Sequence, residues 1–372
     1  MSDSPILLTP ILLTPGPLTT RVETRRAMMR DWGSRDPAFI ALTAELRERL
    51  LKVANGEGSH VAIPLQGSGT FIVEAAVASI VPPEGKLLVL SNGAYGERMI
   101  EIARRMGRSV DALRWGEDRP VEPGAVAYAL AADRDITHVG LIHCETTTGL
   151  LNPLQPVADV VADAGRSLIV DAMSSFGALP IDLQTTPITA LLASSNKCLE
   201  GVPGIGFALV DALAIGKAKG NSPSLSLDLA AQHQGFEANG QWRFTPPVQV
   251  VAATVEALRL LEAEGGPRMR LSRYQANFDV LAMGMLRLGF PLYLDPGLQA
   301  PIIATFLPPS DRPFAFERLY EGLANRGFLI YPGKLTQAES FRIGCIGALE
   351  PADFARLLVA IEAVVVEMGL AA

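Results

Sequence analysis

The sequence has few of the residues that build metal sites, disulfide frameworks or membrane spans. Its 372 residues include three cysteines and four histidines. None of these falls at CxxC, HxxxH or HExxH spacing, so we expect no metal and no disulfide framework. The N-terminus lacks a basic stretch and is interrupted by prolines, unlike a secretory signal. The longest apolar stretch carries Glu362 and Glu367 and is too short to cross a membrane. We therefore expect a soluble, cytoplasmic protein with no membrane partner.

Positive charge is also scarce. Lys and Arg number 32 against 39 Asp and Glu, which gives a formal net charge of −7. This balance provides no long-range attraction for nucleic acid, so we expect no nucleic-acid partner, although a local basic pocket can still bind a small anion. Hydrophobic residues make up 49% of the chain and charged residues 19%, which is typical of a globular protein and excludes disorder.

Apolar runs typical of buried strands alternate with helical patterns over the first two thirds of the chain. Helical spacing is found at 37–55, 69–83 and 157–165, and strand-like runs at 86–92, 137–145, 167–175, 188–197 and 204–211. Strands that are apolar along nearly their whole length are typical of parallel sheets covered on both faces. The order therefore predicts an α/β fold with a mostly parallel sheet flanked by helices.

The remainder of the chain predicts a smaller unit. Residues 220–247 are rich in Pro and Gly and indicate an irregular excursion, and 248–289 is helical in pattern. Beyond it the order is strand, strand, helix, strand, strand, helix, beginning with PLYLD at 291–295. We predict an N-terminal segment (1–30) that packs with the small domain, a large domain (31–265) and a small C-terminal α+β domain (266–372). The duplicated ILLTP at 6–15 is too short to be an architectural repeat.

Polar clusters follow four of the apolar runs, where ligands of parallel sheets bind. They are QGSGT (66–70), CETTTG (144–149), DAMSS (171–175) and SSNK (194–197). The first opens a helix, and the free N–H groups and dipole of a helix N-terminus favour a phosphate. An ordinary N-cap is the alternative interpretation.

Asp171 and Lys197 end two of these strands. Asp171 could simply cap a helix or sit in a surface turn, and most lysines are solvated. A lysine at a buried strand end is nevertheless suited to Schiff-base chemistry, because desolvation lowers the pKa of its amine. The lysine, the aspartate as partner of a pyridine nitrogen and an anion cradle are together what a pyridoxal phosphate enzyme needs.

A resemblance rests on several segments, in chain order. They are TPGP (14–17), QGSGT (66–70), SNGAYGERM (91–99), HCETTTGLLNP (143–153), VDAMSSFG (170–177), SSNKCLEGVPGIGF (194–207), RFTPPVQV (243–250) and FRIGCIG (341–347). From about Leu12 to the C-terminus the chain resembles the class V aminotransferases of fold-type I. SSNKCLEGVPG and HCETTTG resemble segments of the branch that moves the amino group of 2-aminoethylphosphonate to pyruvate in phosphonate catabolism. TPGP is shared more widely, with alanine–glyoxylate and serine transaminases.

The resemblance implies a large domain with a seven-stranded, mostly parallel sheet, pyridoxal 5'-phosphate as cofactor, and roles for individual residues. Lys197 would form the Schiff base, Asp171 would face the pyridine nitrogen and Tyr95 would stack on the ring. The cofactor phosphate would be held by Ser68, Gly69, Thr70 and Ser194, and the ring hydroxyl or the substrate side would be reached by Thr146 or Thr148. A core aromatic is the alternative for Tyr95, and a turn that satisfies its own backbone is the alternative for the two threonines.

The resemblance also implies substrate contacts and an assembly. Arg342 would bind the acidic group of the substrate, because a guanidinium suits both carboxylate and phosphonate; a surface arginine is the alternative. Gly16 and Arg35 would be further substrate contacts. Thr245 would reach the phosphate of the neighbouring subunit's cofactor, which implies a homodimer with shared sites, and packing within the monomer is the alternative.

Three other functions stay open at this stage. An alanine–glyoxylate or serine–pyruvate transaminase would keep the same fold and the same lysine. A cysteine desulfurase would need a mobile cysteine nucleophile, whereas Cys345 lies in a strand-like run and Cys198 is next to Lys197. A cofactor-binding regulatory protein would be indicated by loss of Lys197 or Asp171, and both are present.

Overall fold

The alternation of strands and helices is confirmed in a computed structural model, which describes residues 9–309, 313–336 and 338–370. The strands are β1 (Ile11–Leu12), β2 (His60–Gln66), β3 (Lys86–Ser91), β4 (Ser109–Arg114), β5 (Ile136–Ile142), β6 (Cys144–Glu145), β7 (Leu150–Leu151), β8 (Ser167–Asp171), β9 (Ala190–Ser194), β10 (Ile205–Asp211), β11 (Ile303–Phe306), β12 (Phe328–Leu329), β13 (Tyr331–Pro332) and β14 (Phe341–Gly344). The α-helices are α1 (Val22–Arg26), α2 (Pro37–Val53), α3 (Gly69–Ile80), α4 (Ala94–Arg105), α5 (Pro123–Ala132), α6 (Leu154–Asp163), α7 (Ala212–Lys217), α8 (Leu229–Asn239), α9 (Val248–Glu264), α10 (Pro267–Arg287), α11 (Phe316–Ala324) and α12 (Pro351–Glu367). A short 3-10 helix, Ala27–Met29, follows α1.

A seven-stranded sheet forms the centre of the molecule. Its strand order is β2-β10-β9-β8-β5-β3-β4. β10 runs antiparallel to both of its neighbours, and the other pairs are parallel. The mostly parallel sheet expected from the apolar runs is confirmed, with β10 as the exception. The strands β8 and β9 therefore deliver Asp171 and Ser194 to the same edge of the sheet.

Helices cover both faces of this sheet, as near-continuous apolar strands require. On one face α2, α5, α6 and α9 contribute buried residues such as Phe39, Val126, Val157 and Val251. On the other face α3, α4 and α8 contribute Ile72, Met99 and Leu229 among others. Most of the sheet is thus removed from water, whereas the edge strand β4 keeps exposed residues such as Asp111.

The region 220–247 departs from the sequence prediction. It was expected to be irregular, but it contains the helix α8, which begins where the Asp228 carboxylate accepts a hydrogen bond from Ala231 N and ends at Gly240 with φ of 74°. A capping aspartate at the start and a left-handed glycine at the end are ordinary helix signals. The helix was missed because its apolar residues do not form a clear stripe and Gly235 interrupts them. PLYLD is likewise no strand: only Leu292 forms an isolated bridge, to Phe306.

The C-terminal part builds a second, smaller core. A three-stranded antiparallel sheet, in the order β11-β14-β13, packs with α10, α11 and α12 around apolar side chains that include Phe306, Phe341 and Phe354. β1 pairs in parallel with β12, and Leu13 belongs to the same core. The N-terminal strand therefore contacts this part of the chain. The division into three segments stays a prediction, and residues 1–8 and 371–372 lie outside the described residues.

Two features are absent from the described residues. No helix in the part of the chain that the structure describes is long and apolar enough to cross a membrane. In the same residues, no three His, Cys, Asp or Glu side chains are grouped so that they could hold a metal ion.

Candidate active site

A cavity of about 510 Å³ lies at the end of β8 and β9, where the sequence places its polar clusters. Nine of the predicted site residues line it: Gly16, Ser68, Gly69, Thr70, Tyr95, Thr146, Asp171, Ser194 and Lys197. Nine further residues complete the lining, namely Gly67, Val73, Arg98, Met99, Met173, Ser174, Asn196, Pro203 and Gly204. The fold thus brings together residues that are widely separated along the chain.

Lys197 lies in the turn that follows β9, and its amine is held by the N-terminal segment. Lys197 Nζ donates a hydrogen bond of 2.6 Å to Pro15 O, and Gly16 O lies 3.5 Å away. Burial lowers the pKa of Lys197 to about 8. A neutral amine is a nucleophile and a base, whereas the ammonium form is neither. The environment therefore brings this lysine close to the protonation state that Schiff-base chemistry needs.

Gly16 is the residue that allows this close approach. Its φ is +118°, a region that L side chains rarely adopt. A Cβ at this position would lie 2.8 Å from Lys197 Nζ and 2.5 Å from Asn196 O. The TPGP segment thus covers the lysine directly, and only glycine leaves room for the amine.

Behind the lysine, a buried ionic network holds the turn in place. Glu200 has φ of 61° and its N–H donates to Lys197 O at 2.8 Å. The Glu200 carboxylate accepts hydrogen bonds of 2.7 Å from Tyr274 and Arg273. Arg270, which is fully buried, donates to Cys198 O at 2.6 Å. Sequence reasoning missed this network, because its members lie on α10 and show no common motif with the lysine.

Asp171 lies at the end of β8 and is 5% exposed. Burial raises the pKa of its carboxyl to about 6, and the nearby charge of Glu145 adds to the shift. Asp171 Oδ1 accepts a hydrogen bond of 2.9 Å from Met173 N. A carboxylate in such a dry position gains much from a cationic partner. It is therefore well suited to hold a protonated ring nitrogen.

The cavity also has a place for an anion, at the start of α3. The N-cap residue Ser68 makes no side-chain capping bond, so the first N–H groups of this helix remain available. Ser194 Oγ is buried and has no hydrogen-bond partner among the described residues. A buried hydroxyl without a partner is costly unless a ligand satisfies it. A helix N-terminus together with an unsatisfied hydroxyl fits a phosphate group.

Tyr95 lies at the start of α4 and is positioned by Glu145. The Glu145 carboxylate is fully buried, accepts hydrogen bonds from Thr147 and lies 3.3 Å from Tyr95 N. Burial raises the pKa of Glu145. Two cations lie over the Tyr95 ring: Arg98 Cζ is 4.9 Å and Lys334 Nζ 5.1 Å from its centroid. Tyr95 thus lines the cavity and also contacts the positive charges of Arg98 and Lys334.

The two threonines of the CETTTG segment differ. Thr146 lines the cavity, and its Oγ1 lies 2.9 Å from Ser174 Oγ. Thr148 is buried outside the lining, and its hydroxyl accepts a hydrogen bond from Leu150 N at 3.2 Å. Thr148 therefore satisfies the backbone of its own turn, and a contact from Thr148 to the cofactor stays a prediction.

Arg342 reaches the cavity wall from β14. Its guanidinium is buried and donates to Thr146 O at 2.8 Å and to Pro332 O at 3.0 Å. Burial lowers the pKa of Arg342. The arginine therefore connects the smaller sheet to the CETTTG segment and fixes its cation beside the lining.

Thr245 and Arg35 are not brought to the cavity. Both residues are exposed, and Arg35 lies in the turn before α2. Their predicted roles toward cofactor and substrate stay predictions. Sequence reasoning missed Arg98, which lines the cavity and donates to Thr70 Oγ1 at 3.2 Å. The sequence contained a signal for Arg98: it follows Tyr95 by three residues in a helical pattern, and residues at this spacing lie on the same face of a helix.

The geometry of this site agrees with a comparison of the whole sequence to known families. Residues 25–290 match the family model described as aminotransferase class-V. The chain belongs to the class-V aminotransferases. The enzymes of this family use pyridoxal 5'-phosphate, and the residues that line the cavity fit that cofactor. An amine from Lys197, a buried carboxylate from Asp171 and an anion-binding helix start at α3 with Ser194 lie together in this lining.

Individual members of the family are similar over nearly the whole chain. The chain is 53% identical over 370 residues to 2-aminoethylphosphonate–pyruvate transaminase 2 of Burkholderia lata, covering 100% of this chain and 97% of that protein. It is 53% identical to 2-aminoethylphosphonate–pyruvate transaminase of Pseudomonas fluorescens, covering 98% of each. Among solved structures, alanine–glyoxylate aminotransferase from Nostoc sp. superposes with a TM-score of 0.90 at 26% identity, covering 98% of each chain. The predicted fold-type I architecture is therefore confirmed.

Proposed function

We infer that this class-V aminotransferase moves the amino group of 2-aminoethylphosphonate to pyruvate, and so gives phosphonoacetaldehyde and L-alanine. The observation that carries the inference is the joint placement of Lys197, Asp171 and the start of α3 around one cavity, in a chain whose near relatives bear that name. The reaction belongs to phosphonate catabolism, and we place the enzyme in the cytoplasm.

We propose the following division of work among the residues that hold the cofactor. Asp171 pairs with the ring nitrogen, and Ser68, Gly69, Thr70 and Ser194 hold the phosphate. When bound, pyridoxal phosphate supplies an electron sink for the carbon next to the substrate amine. The raised pKa of Asp171, about 6, does not prevent this pairing, because a cationic partner favours the ionised carboxylate.

Lys197 acts twice in this proposal. Its Nζ would hold the cofactor, and when free, the same Nζ would take the proton from the carbon that bears the substrate amine. The proton is returned later in the cycle, so Lys197 serves as general base and then as general acid. A pKa of about 8 suits both steps near neutral pH, because both protonation states are then populated.

Arg342 holds the acidic group of both substrates in turn. A planar guanidinium can donate two parallel hydrogen bonds to either a carboxylate or a phosphonate. Two of its nitrogens, Nε and Nη1, already donate to backbone carbonyl oxygens, which keeps the side chain in one orientation. A fixed cation beside the cavity limits the productive poses of a substrate.

The three cysteines argue against the desulfurase alternative. Cys144, Cys198 and Cys345 are at most 2% exposed, and burial raises the pKa of Cys198 to about 12. A nucleophilic cysteine needs access to substrate and a thiolate at working pH. None of the three meets both conditions.

We propose that the enzyme is a homodimer whose sites are shared between subunits. The surface around Thr245 supports this, because Phe244 is 44% exposed and Phe71, next to the cavity lining, is 51% exposed. Exposed aromatics beside a site are typical of an interface. In mixed dimers of Lys197→Ala and Thr245→Val subunits, one of the two sites would contain both native residues. We expect mixing to restore activity that neither variant shows alone; no recovery in a verified heterodimer would contradict the sharing of sites.

Alanine formation tests the function directly. The loaded enzyme is incubated with pyruvate and 2-aminoethylphosphonate as sole amino donor, beside reactions with L-serine, with L-alanine and glyoxylate, and without donor. We expect rapid alanine formation with the phosphonate. Activity with the amino-acid donors only would keep the roles of Lys197 and Asp171 but would move the enzyme to the alanine–glyoxylate or serine–pyruvate branch.

A further inference from the structure

Three cations cluster on one side of the active-site cavity. Arg98 and Lys334 both lie over the ring of Tyr95, at 4.9 and 5.1 Å from its centroid, and the guanidinium of Arg342 lies 5.7 Å from the ring of Tyr331. Partial desolvation lowers the pKa of Lys334, and the charges of Arg342 and Arg98 lower it further. The three charges are thus near enough to repel one another, which is unfavourable unless an anion binds among them.

Lys334 has no carboxylate partner among the residues that the structure describes. Among the described residues, no carboxylate oxygen lies within the 4.0 Å of an ion pair from Lys334 Nζ, whereas Lys86, Arg114 and many others are paired. Lys334 is exposed, and its Nζ lies over the ring of Tyr95, a residue that lines the cavity. Its charge is therefore available to a ligand that enters the site.

The backbone on either side of Lys334 is held in place. Gly333 N donates to Ser340 O at 3.0 Å, and a Cβ on Gly333 would lie 2.2 Å from that same oxygen, so the two strands approach as closely as glycine permits. On the other side, Thr336 lies 3.2 Å from Glu117 Oε2 through both its N–H and its hydroxyl. The lysine is therefore presented from a segment that is anchored at both ends.

The two acidic groups that this enzyme must accept differ in charge and shape. A carboxylate is planar, carries one negative charge and is matched by one guanidinium. A phosphonate is tetrahedral, has three oxygens and carries a second negative charge once its second proton is lost. Arg342 has already used Nε and Nη1 on carbonyl oxygens, so it cannot by itself satisfy three oxygens and two charges.

We propose that Lys334 is a specificity-determining residue, which binds the phosphonate of the amino donor together with Arg342 and contributes little to binding of the carboxylate of pyruvate. The inference rests on the proposed function, since it assigns the donor group of that reaction. Arg98, whose guanidinium donates to Thr70 at the start of α3, is placed toward the cofactor phosphate instead.

Anion binding to the cofactor-loaded enzyme tests this assignment without turnover. Methylphosphonate and acetate are titrated separately by calorimetry, at a pH where the phosphonate is doubly charged, into wild type, Lys334→Gln and Lys334→Arg. We expect Lys334→Gln to weaken methylphosphonate binding by on the order of tenfold, with acetate changed less than about twofold, because a hydrogen bond to a charged group is lost. Lys334→Arg should restore most of the phosphonate affinity. Lys219→Gln, which removes an exposed charge just after α7, is the matched control and should change neither anion.

Steady-state kinetics give a second readout. Lys334→Gln should raise the KM for 2-aminoethylphosphonate by more than it changes the KM for pyruvate or the kcat, since the charge of Lys334 is only one of the smaller causes that lower the pKa of Lys197. An unchanged ratio of methylphosphonate to acetate affinity in Lys334→Gln would overturn the inference, as would a wild type that does not prefer methylphosphonate. Failure of the proposed function is seen separately, as absence of alanine formation from 2-aminoethylphosphonate in wild type.

Discussion

The pH dependence of cofactor uptake follows from the environment of Lys197. Only the neutral amine can attack the aldehyde carbon of pyridoxal phosphate, and burial lowers the pKa of Lys197 from 10.5 to about 8. With that pKa the neutral fraction is about 9% at pH 7 and about 91% at pH 9. The rate of uptake by cofactor-free enzyme should therefore rise about tenfold between pH 7 and pH 9 and approach a plateau above pH 9.

Stopped-flow absorbance of the newly formed cofactor band measures this rate. Free pyridoxal phosphate titrates in the same range, so its reaction with a simple lysine derivative in the same buffers provides the correction. The Lys197→Ala variant should show no saturable covalent uptake and so gives the background. A solvated lysine with its ordinary pKa of 10.5 would instead give a rise of about 100-fold over the same interval, with no plateau. That result would refute the reasoning from burial.

Three further predictions concern single substitutions. Asp171→Asn should retain the cofactor but lower kcat by on the order of 10- to 100-fold, measured with saturating donor, because a charge-assisted hydrogen bond to the ring nitrogen is lost; an unchanged kcat would argue against that pairing. Gly16→Ala should slow cofactor uptake and lower the melting temperature, since its Cβ would overlap Lys197 Nζ at a φ of +118°; normal uptake would show that the segment yields easily. Glu200→Ala should cost about 3 kcal/mol of unfolding free energy in urea, because it leaves buried arginine charge uncompensated, whereas Glu48→Ala, which removes an exposed ion pair, should change stability little. Equal effects of the last two would contradict the role of the buried network.

Much of the architecture could be predicted from the pattern of residues. The strand runs at 86–92 and 204–211 became β3 and β10, and the helical patterns at 37–55 and 69–83 became α2 and α3. Long apolar runs and clear helical stripes are local properties, so they can be recognised without knowing the fold. The helix α8 was missed because its apolar residues form no clear stripe, although its ends carry ordinary capping residues. The segment PLYLD was wrongly predicted as a strand, since an apolar run alone does not show whether a partner strand pairs along it.

The central part of the site could also be predicted from the sequence. Asp171 and Lys197 follow apolar strands, and the carboxyl ends of neighbouring parallel strands meet at one edge of a sheet. The positions of the two residues after apolar runs therefore predicted that they lie at one edge of the sheet. The anion site predicted at Ser68–Thr70 had the same kind of signal, as small residues that open a helix, and these residues line the same cavity.

Other features were decided by the tertiary structure alone. The carbonyl of Pro15 accepts the hydrogen bond of Lys197, Glu200 meets arginines of α10, and Lys334 lies over Tyr95. Each of these contacts joins residues that are far apart in sequence, so no spacing or periodicity records them. By itself the sequence determined which polar residues end the strands at the cavity, because that depends on residue type and strand pattern. Only the packing of the smaller sheet and the N-terminal segment against the large sheet decided which charges lie around the cavity, because charge acts through distance in space.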